Sequence, residues 1–246
     1  MKTVERIDYV KNWILDYCKS MPQEPDSLVV GVSGGIDSSV TSTLCALTEK
    51  KTIVLAMPIK QIKEQHNLSL KHQEWLKNKF KNVESYLVDL DNVFKSFKTS
   101  LTKFDNEYGF ANSRARLRMT TLYQVAASNN GIVVGTGNKV EDFGVGFYTK
   151  YGDGGVDILP IADCSKSQVW DMGKNLGILE EIVKAQPTDG LWDDGRTDVG
   201  QLGMSYQELE EAMKNPSSKW HKKYLEIIKR NLHKMNPIPV CKMKDE

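Results

Sequence analysis

The sequence predicts an α/β fold, a doubly wound parallel sheet flanked by helices with a helical C-terminal part. Short runs at 28–32, 52–57, 85–88 and 132–135 are β-branched and nearly all apolar, the pattern of strands buried on both faces. Helical patterns lie between them, and this alternation belongs to parallel sheets with right-handed crossovers. The first run also breaks directly into Ser33-Gly34-Gly35-Ile36-Asp37-Ser38 before another helix. That places a glycine-rich turn at the carboxyl end of a strand, where ligands of such folds bind.

Taken in order, Val4, Ile7, Ile14, Leu15 and Cys18 recur at near-helical spacing and predict an amphipathic helix over 3–20, ended by Pro22 and Pro25. The first strand follows, then a helix over 38–48, the second strand, a helix near 68–80, the third strand and a helix over 113–128. The fourth strand runs into Gly135-Thr136-Gly137-Asn138. This turn and the one at 33–38 therefore open onto one crevice. Farther on, Ser165-Lys166-Ser167-Gln168 and Ser205-Tyr206-Gln207-Glu208 read as capping boxes that start helices running through Leu176 and Met213. Between Ala185 and Met204 the stretch from Gln186 to Gly195 has little periodicity, and loops of that length are usually functional or disordered.

The 246 residues suit one domain, expected over 1–246, with a substantial core. With 26% charged and 40% hydrophobic residues the composition is that of a soluble globular protein. Thirty-three basic residues against 32 acidic ones leave a charge of +1, so no global field argues for a nucleic-acid or membrane partner. Cys18, Cys45, Cys164 and Cys241 are scattered and suggest neither a zinc site nor a disulfide framework; reduced cytoplasmic thiols are the default. The N-terminus lacks a signal-peptide apolar core, and no apolar run approaches the roughly 20 residues of a membrane span.

The turn from Gly31 through Ser38 is suited to hold pyrophosphate. Gly34 and Gly35 let the backbone bend close to an anion, the N–H groups of the helix start point at it, and Ser33 and Ser38 add hydroxyl donors. Asp37 places a carboxylate beside those phosphates, where it would hold Mg²⁺. A plain strand-to-helix turn calls for no such combination, and the Gly-Lys-Ser/Thr ending of a Walker A loop is missing. The segment resembles the PP-loop of ATP pyrophosphatases, which cleave ATP between its α and β phosphates. Elsewhere, Arg114, Arg116 and Arg118 alternate along a helix, so they cannot share one face, and spacing alone favours a solvated surface. Glu141 is a candidate second Mg²⁺ ligand. Residues 148–155 read equally as a loop closing over substrate or as a hairpin with a glycine turn.

Ser-Gly-Gly-x-Asp-Ser at 33–38, Asn-x-x-Ala-Arg-x-Arg-Met at 112–119, Gly-Thr-Gly-Asn-x-x-Glu at 135–141, Thr-Lys-Tyr-Gly-Asp-Gly-Gly-x-Asp-Ile at 149–158 and Leu-Gly-Met-Ser-Tyr at 202–206 together resemble the ammonia-dependent NAD⁺ synthetases. The resemblance implies an adenine nucleotide alpha hydrolase-like fold and a ligase of NAD⁺ biosynthesis. Such an enzyme amidates nicotinic acid adenine dinucleotide with ammonia at the expense of ATP, through an acyl adenylate, giving NAD⁺, AMP and pyrophosphate. It implies that Gly31, Val32, Ser33, Gly34, Gly35, Ile36, Asp37 and Ser38 bind the ATP phosphates and that Thr136, Lys166 and Thr188 are further ATP contacts. Asp37 and Glu141 would share Mg²⁺, with Asp37 and Lys166 as the catalytic pair. Arg116, Lys150, Asp157, His221 and Lys222 would hold the dinucleotide, although His221-Lys222-Lys223 by itself reads as the polar start of a helix. A cytoplasmic homodimer with no nucleic-acid or membrane partner is expected. Ammonia rather than glutamine is expected because the length leaves no room for an amidohydrolase domain.

Two departures stand out. The stretch from Glu141 to Lys150 is one residue longer than the family pattern, which leaves the roles of 142–145 open, and Lys60 and Gln61 match too loosely to be placed in the site. Two other readings of the PP-loop compete. A tRNA-modifying enzyme would also adenylate its substrate, but the near-neutral charge and lack of an appended RNA-binding region oppose it. A nucleotide-sensing module would leave Glu141, Lys166 and the glycine-rich stretch without a purpose.

Overall fold

The computed structural model describes residues 1–192, 194 and 196–243. Asp193 and Gly195 of the long stretch, and the last three residues of the expected domain, lie outside the described residues. Helix α1 (Thr3–Ser20) forms over the expected range because Ile7, Val10, Ile14 and Cys18 make one buried stripe. Strand β1 (Ser27–Gly31), helix α2 (Ile36–Leu47), strand β2 (Lys51–Ala56), helix α3 (Lys63–Lys79) and strand β3 (Val83–Leu87) follow. Next come α4 (Asp91–Ser100), a 3₁₀ turn at Thr102–Phe104, α5 (Glu107–Ser128) and β4 (Gly131–Val133).

The strands are parallel in the order β3-β2-β1-β4, with Val29 of β1 level with Ile53 and Val133. After β1 the chain winds outward through β2 and β3 and then returns to the other side of β1. The switch between β1 and β4 opens the crevice at their carboxyl ends. Alternate residues of β1 feed two cores: Leu28 and Val30 face α1 and α2, and Val29 faces the side of Phe94 and Phe110. Burial on both faces holds for β1 and β2. It fails for β3, an edge strand whose Tyr86 and Leu87 are half exposed. Helix α4 was not expected, although Leu90, Val93, Phe94, Phe97 and Leu101 recur at helical spacing; within it only Phe94 is buried. Helix α5 begins earlier than expected, where the Asn106 side chain accepts from the Gly109 amide.

A π-helix at Lys139–Val145 follows β4. The extra residue in this stretch is what such a helix takes up, a feature frequent at functional sites. Helices α6 (Lys166–Leu176), α7 (Glu180–Val183), α8 (Asp198–Leu202), α9 (Tyr206–Lys214) and α10 (His221–Met235) complete the C-terminal part. Both capping boxes form as expected, Ser165 with Gln168 and Ser205 with Glu208. Residues 149–155 make no hairpin: the amides of Gly152 and Gly154 both donate to Thr149 O, and Asp153 accepts from the Thr149 amide, closing a compact turn. Among the described residues, no helix is long and apolar enough to cross a membrane.

Candidate active site

The loop between β1 and α2 is the floor of the crevice. Gly34 has φ of +91° and lies so close to α3 that a Cβ there would stand 2.5 Å from Gln65 O, so only glycine fits without strain. Gly35 is extended and leads into α2 with no side-chain cap, which leaves that helix start open to an anion. The hydroxyls of Ser33 and Ser38 lie 3.2 Å apart, and Ser38 Oγ donates to Gly35 O, fixing the loop's curvature. Gly31, Val32, Ser33, Gly34, Gly35, Ile36, Asp37 and Ser38 all line the crevice, as do Thr136, Glu141, Lys166 and Thr188. The structure thus gathers every expected ATP and metal position around one space.

Its charged centre is a buried triad. The Lys166 ammonium lies 2.5 Å from Asp37 Oδ2 and 2.8 Å from Glu141 Oε1, with the lysine 1% exposed. Three elements deliver these groups: the first turn of α2, the π-helix and the first residue of α6. Asn138 locks the arrangement, because its carbonyl oxygen accepts from the Val140 and Glu141 amides while its amide donates to Asp37 Oδ1 at 3.0 Å. Burial opposes every charge here. It holds the Asp37 carboxyl above its ordinary range despite Lys166, whereas Lys166, Tyr206 and Asn138 overcome burial at Glu141 and bring it below. Burial likewise works against the ammonium, but the two carboxylates overcome it and hold Lys166 protonated.

A second acidic group lies beyond the triad. Burial pushes the Asp153 carboxyl up to about 6, and burial together with Asp153, Glu141 and Asp37 raises Asp142 well above the carboxylate range. Both line the crevice. The Tyr206 hydroxyl reaches Glu141 Oε1 at 2.5 Å and Asp198 Oδ2 at 2.9 Å. One phenol proton serves two carboxyls when Asp198 keeps its own, and burial with the Glu141 charge pushes Asp198 up to about 7. Met57, Leu68, Met119 and Leu122 add an apolar part to the lining.

Of the arginines, two point inward, contrary to the solvated surface that spacing favoured. Arg118 lines the crevice and donates to Met57 O, and buried Arg114 donates to Leu191 O, tying α5 to the stretch after Pro187. Arg116 is exposed and donates to Lys150 O, while Asp157 accepts from Tyr123, one face of α5 carrying both Arg116 and Tyr123. The structure therefore brings Arg116, Lys150 and Asp157 to a common side of α5, outside the crevice lining. His221 and Lys222 join neither group: His221 Nδ1 pairs with Ala212 O, and Lys222 is exposed. Sequence reasoning missed Asn138, Gln61, Asp153, Asp198 and Tyr206. Gln61, set aside for its loose pattern, lines the crevice and donates to Ser33 O. It also missed Lys234, whose ammonium donates to Tyr148 O at 2.6 Å and faces Asp142 and Asp153.

Comparison with known proteins agrees with this geometry. The model of the NAD synthase family matches residues 6–245. An NH₃-dependent NAD⁺ synthetase of Archaeoglobus fulgidus is 32% identical, covering 99% of this chain and 98% of the relative. One from Carboxydothermus hydrogenoformans is 36% identical over 84% of this chain and 83% of its own length. Among solved structures, an NMN synthetase from Francisella tularensis superposes with a TM-score of 0.90 at 32% identity, covering 99% of this chain and 100% of that one. The NH₃-dependent NAD synthetase of Campylobacter jejuni shares the fold with a TM-score of 0.79 at 24% identity, covering 98% of this chain and 100% of that one.

Proposed function

The chain belongs to the NAD synthase family, ligases that spend ATP to form a carbon–nitrogen bond, and from that premise we propose how its crevice carries out the amidation of deamido-NAD⁺ to NAD⁺. The observation that carries the reading is the buried Asp37–Lys166–Glu141 triad at the mouth of the phosphate loop. A carboxylate is a poor acylating agent until its oxygen becomes a good leaving group. The nicotinate carboxylate attacks the α-phosphorus of ATP and displaces pyrophosphate; ammonia then attacks the acyl adenylate and AMP departs. The open start of α2, the Ser33 and Ser38 hydroxyls and Lys166 face the charge that builds on the phosphates, a stabilisation that costs no reorganisation at the moment of reaction.

Asp37 and Glu141 are the residues that would hold Mg²⁺. Their fit rests on what they already do, since two buried carboxylates share a single cation, and Mg²⁺ characteristically takes one or two carboxylates with substrate phosphates. Held there, the ion would supply positive charge against the phosphates. No side chain needs to form a covalent intermediate: burial raises the Cys18, Cys45 and Cys164 thiols, which disfavours the reactive thiolate. The working unit in this reading is one domain over 1–246, paired as a cytoplasmic homodimer. Exposed Phe104 of the 3₁₀ turn and Tyr108 at the start of α5 offer apolar surface for such a partner.

A second reading exchanges the dinucleotide acid for the mononucleotide acid, with NMN as product. The close superposition on the Francisella NMN synthetase favours it. One experiment tests both. The purified chain receives ATP, Mg²⁺ and ammonium with either acid, and AMP and the amidated product are followed together as each component is omitted. Equal yields of AMP and NAD⁺ that vanish without ammonium establish the first reading. A kcat/KM at least tenfold higher for the mononucleotide acid establishes the second. ATP binding without turnover of either acid overturns both in favour of a nucleotide sensor.

A further inference from the structure

The motif at 202–206 has no role in the chemistry above, yet its last residue touches each part of the crevice's charged end. Tyr206 opens α9 behind the Ser205 cap and is 3% exposed. Its ring meets Trp170 edge-on at 5.8 Å, and the Lys166 ammonium sits 4.8 Å from the ring centroid. Its hydroxyl is shared between Glu141 and Asp198. Asp198 begins α8, lines the crevice and donates its amide to Pro187 O at 3.1 Å. A single phenol oxygen thus joins one carboxylate of the expected metal pair to the first residue of α8.

Glu141 has two oxygens, and the one that meets Lys166, Oε1, is also the one Tyr206 holds. Any turn of Glu141 toward a different cation therefore pulls on the hydroxyl, and through it on Asp198. We propose that Tyr206 is a positioning residue that couples the start of α8 to the metal pair, its hydroxyl aiming Glu141 and anchoring Asp198 together. This rests on the reading of Asp37 and Glu141 as that pair.

Tyr206→Phe keeps the ring among Trp170, Met204 and Leu209 and removes only the hydroxyl. On the full chain, Mn²⁺ uptake with a non-hydrolysable ATP analogue is read by electron paramagnetic resonance, and amide exchange over 198–202 by mass spectrometry. The variant should bind Mn²⁺ about tenfold more weakly, the lower end of the loss for a residue supporting a metal ligand. Exchange over 198–202 should quicken, while metal-free binding of the analogue stays the same. A folded variant with native Mn²⁺ affinity, or with native exchange over 198–202, overturns the coupling. If Tyr206→Phe fails to fold, Asp198→Ala removes the other end of the link, and native Mn²⁺ affinity in that variant overturns it equally. A wild-type chain that takes up no Mn²⁺ with the analogue overturns the metal reading instead, and the exchange result then decides by itself whether Tyr206 holds the segment.

Discussion

From Val29 to Ser38 the chain builds the floor of the crevice in one unbroken stretch, held by strand pairing on both sides of β1 and by the start of α2. The facing wall gathers Asn138, Glu141, Lys166, Asp198 and Tyr206 from the π-helix, α6, α8 and α9. Apart from Asp37, which faces the wall, the floor depends on backbone conformation and close approach, so it is local and costs no buried charge. The wall depends on ionised groups removed from water, each tolerable only because a partner far along the chain meets it. Damage to the floor should therefore be conformational and indifferent to ions. Damage to the wall should be electrostatic and open to repair by a cation.

The largest expected effect breaks the wall. Lys166→Met leaves Asp37 and Glu141 buried with no cation between them, and removing one partner of a buried ion pair costs about 3–5 kcal/mol. The variant should melt well below the wild type, and Mg²⁺ should restore part of the difference because the ion enters the vacated position. Thermal unfolding with and without Mg²⁺ measures this. A variant as stable as the wild type, or one that Mg²⁺ leaves unchanged, would show that the wall is not held by charge.

A smaller loss is expected on the floor. Gly34→Ala forces a side chain into φ of +91° with its Cβ 2.5 Å from Gln65 O, a strain on the order of 1–3 kcal/mol. Here Mg²⁺ should restore nothing. Equal rescue of both variants by Mg²⁺ would erase the distinction between the two halves.

The same division decides what could be read from sequence. Helix α1, the phosphate loop and both capping boxes were legible because each is a local pattern: a 3.6-residue stripe, a glycine turn after a strand, a Ser with Gln or Glu three residues on. Helix α4 was legible too and went unread, since Leu90, Phe94, Phe97 and Leu101 recur at helical spacing, whereas the exposure of β3 hid because an edge strand looks like a central one until its neighbours are known. The π-helix showed only as a surplus residue. Asn138 carried a signal, since asparagine after Gly-Thr-Gly is a natural helix cap, but its bond to Asp37 spans the fold. Tyr206 lay inside a recognised motif, with nothing local to point at Glu141.

The His-Lys pairs illustrate the limit and sharpen the comparison. Helix α10 contains His221-Lys222 and His233-Lys234, and spacing does not choose between them. The resemblance pointed to the first pair, whereas the second carries the half-buried ammonium facing Asp142 and Asp153. Lys234→Ala should raise KM for the nicotinate substrate about tenfold, roughly 1.4 kcal/mol, with Lys222→Ala near the wild type. Steady-state kinetics on the two variants measures this, and the opposite ranking would return the second-substrate position to the start of α10.

Taken per pH unit, the smallest effect concerns protons at the wall. Burial, with the Glu141 charge, pushes Asp198 up to about 7, and burial pushes Asp153 up to about 6, while an unfolded aspartate titrates near 3.9, roughly. A carboxyl raised in this way favours the folded state while it keeps its proton. Its contribution is therefore fully present below about pH 4 and is lost as pH rises through the folded value, at no more than about 1.4 kcal/mol per pH unit for each group. Asp198→Asn cannot ionise and should make the fall in stability between about pH 4 and 7 shallower, leaving the part due to Asp153. Urea unfolding of both proteins across that range provides the comparison. Parallel curves would mean that Asp198 already ionises freely, in which case the Tyr206 proton is contested by two carboxylates and the wall is held by Lys166 alone.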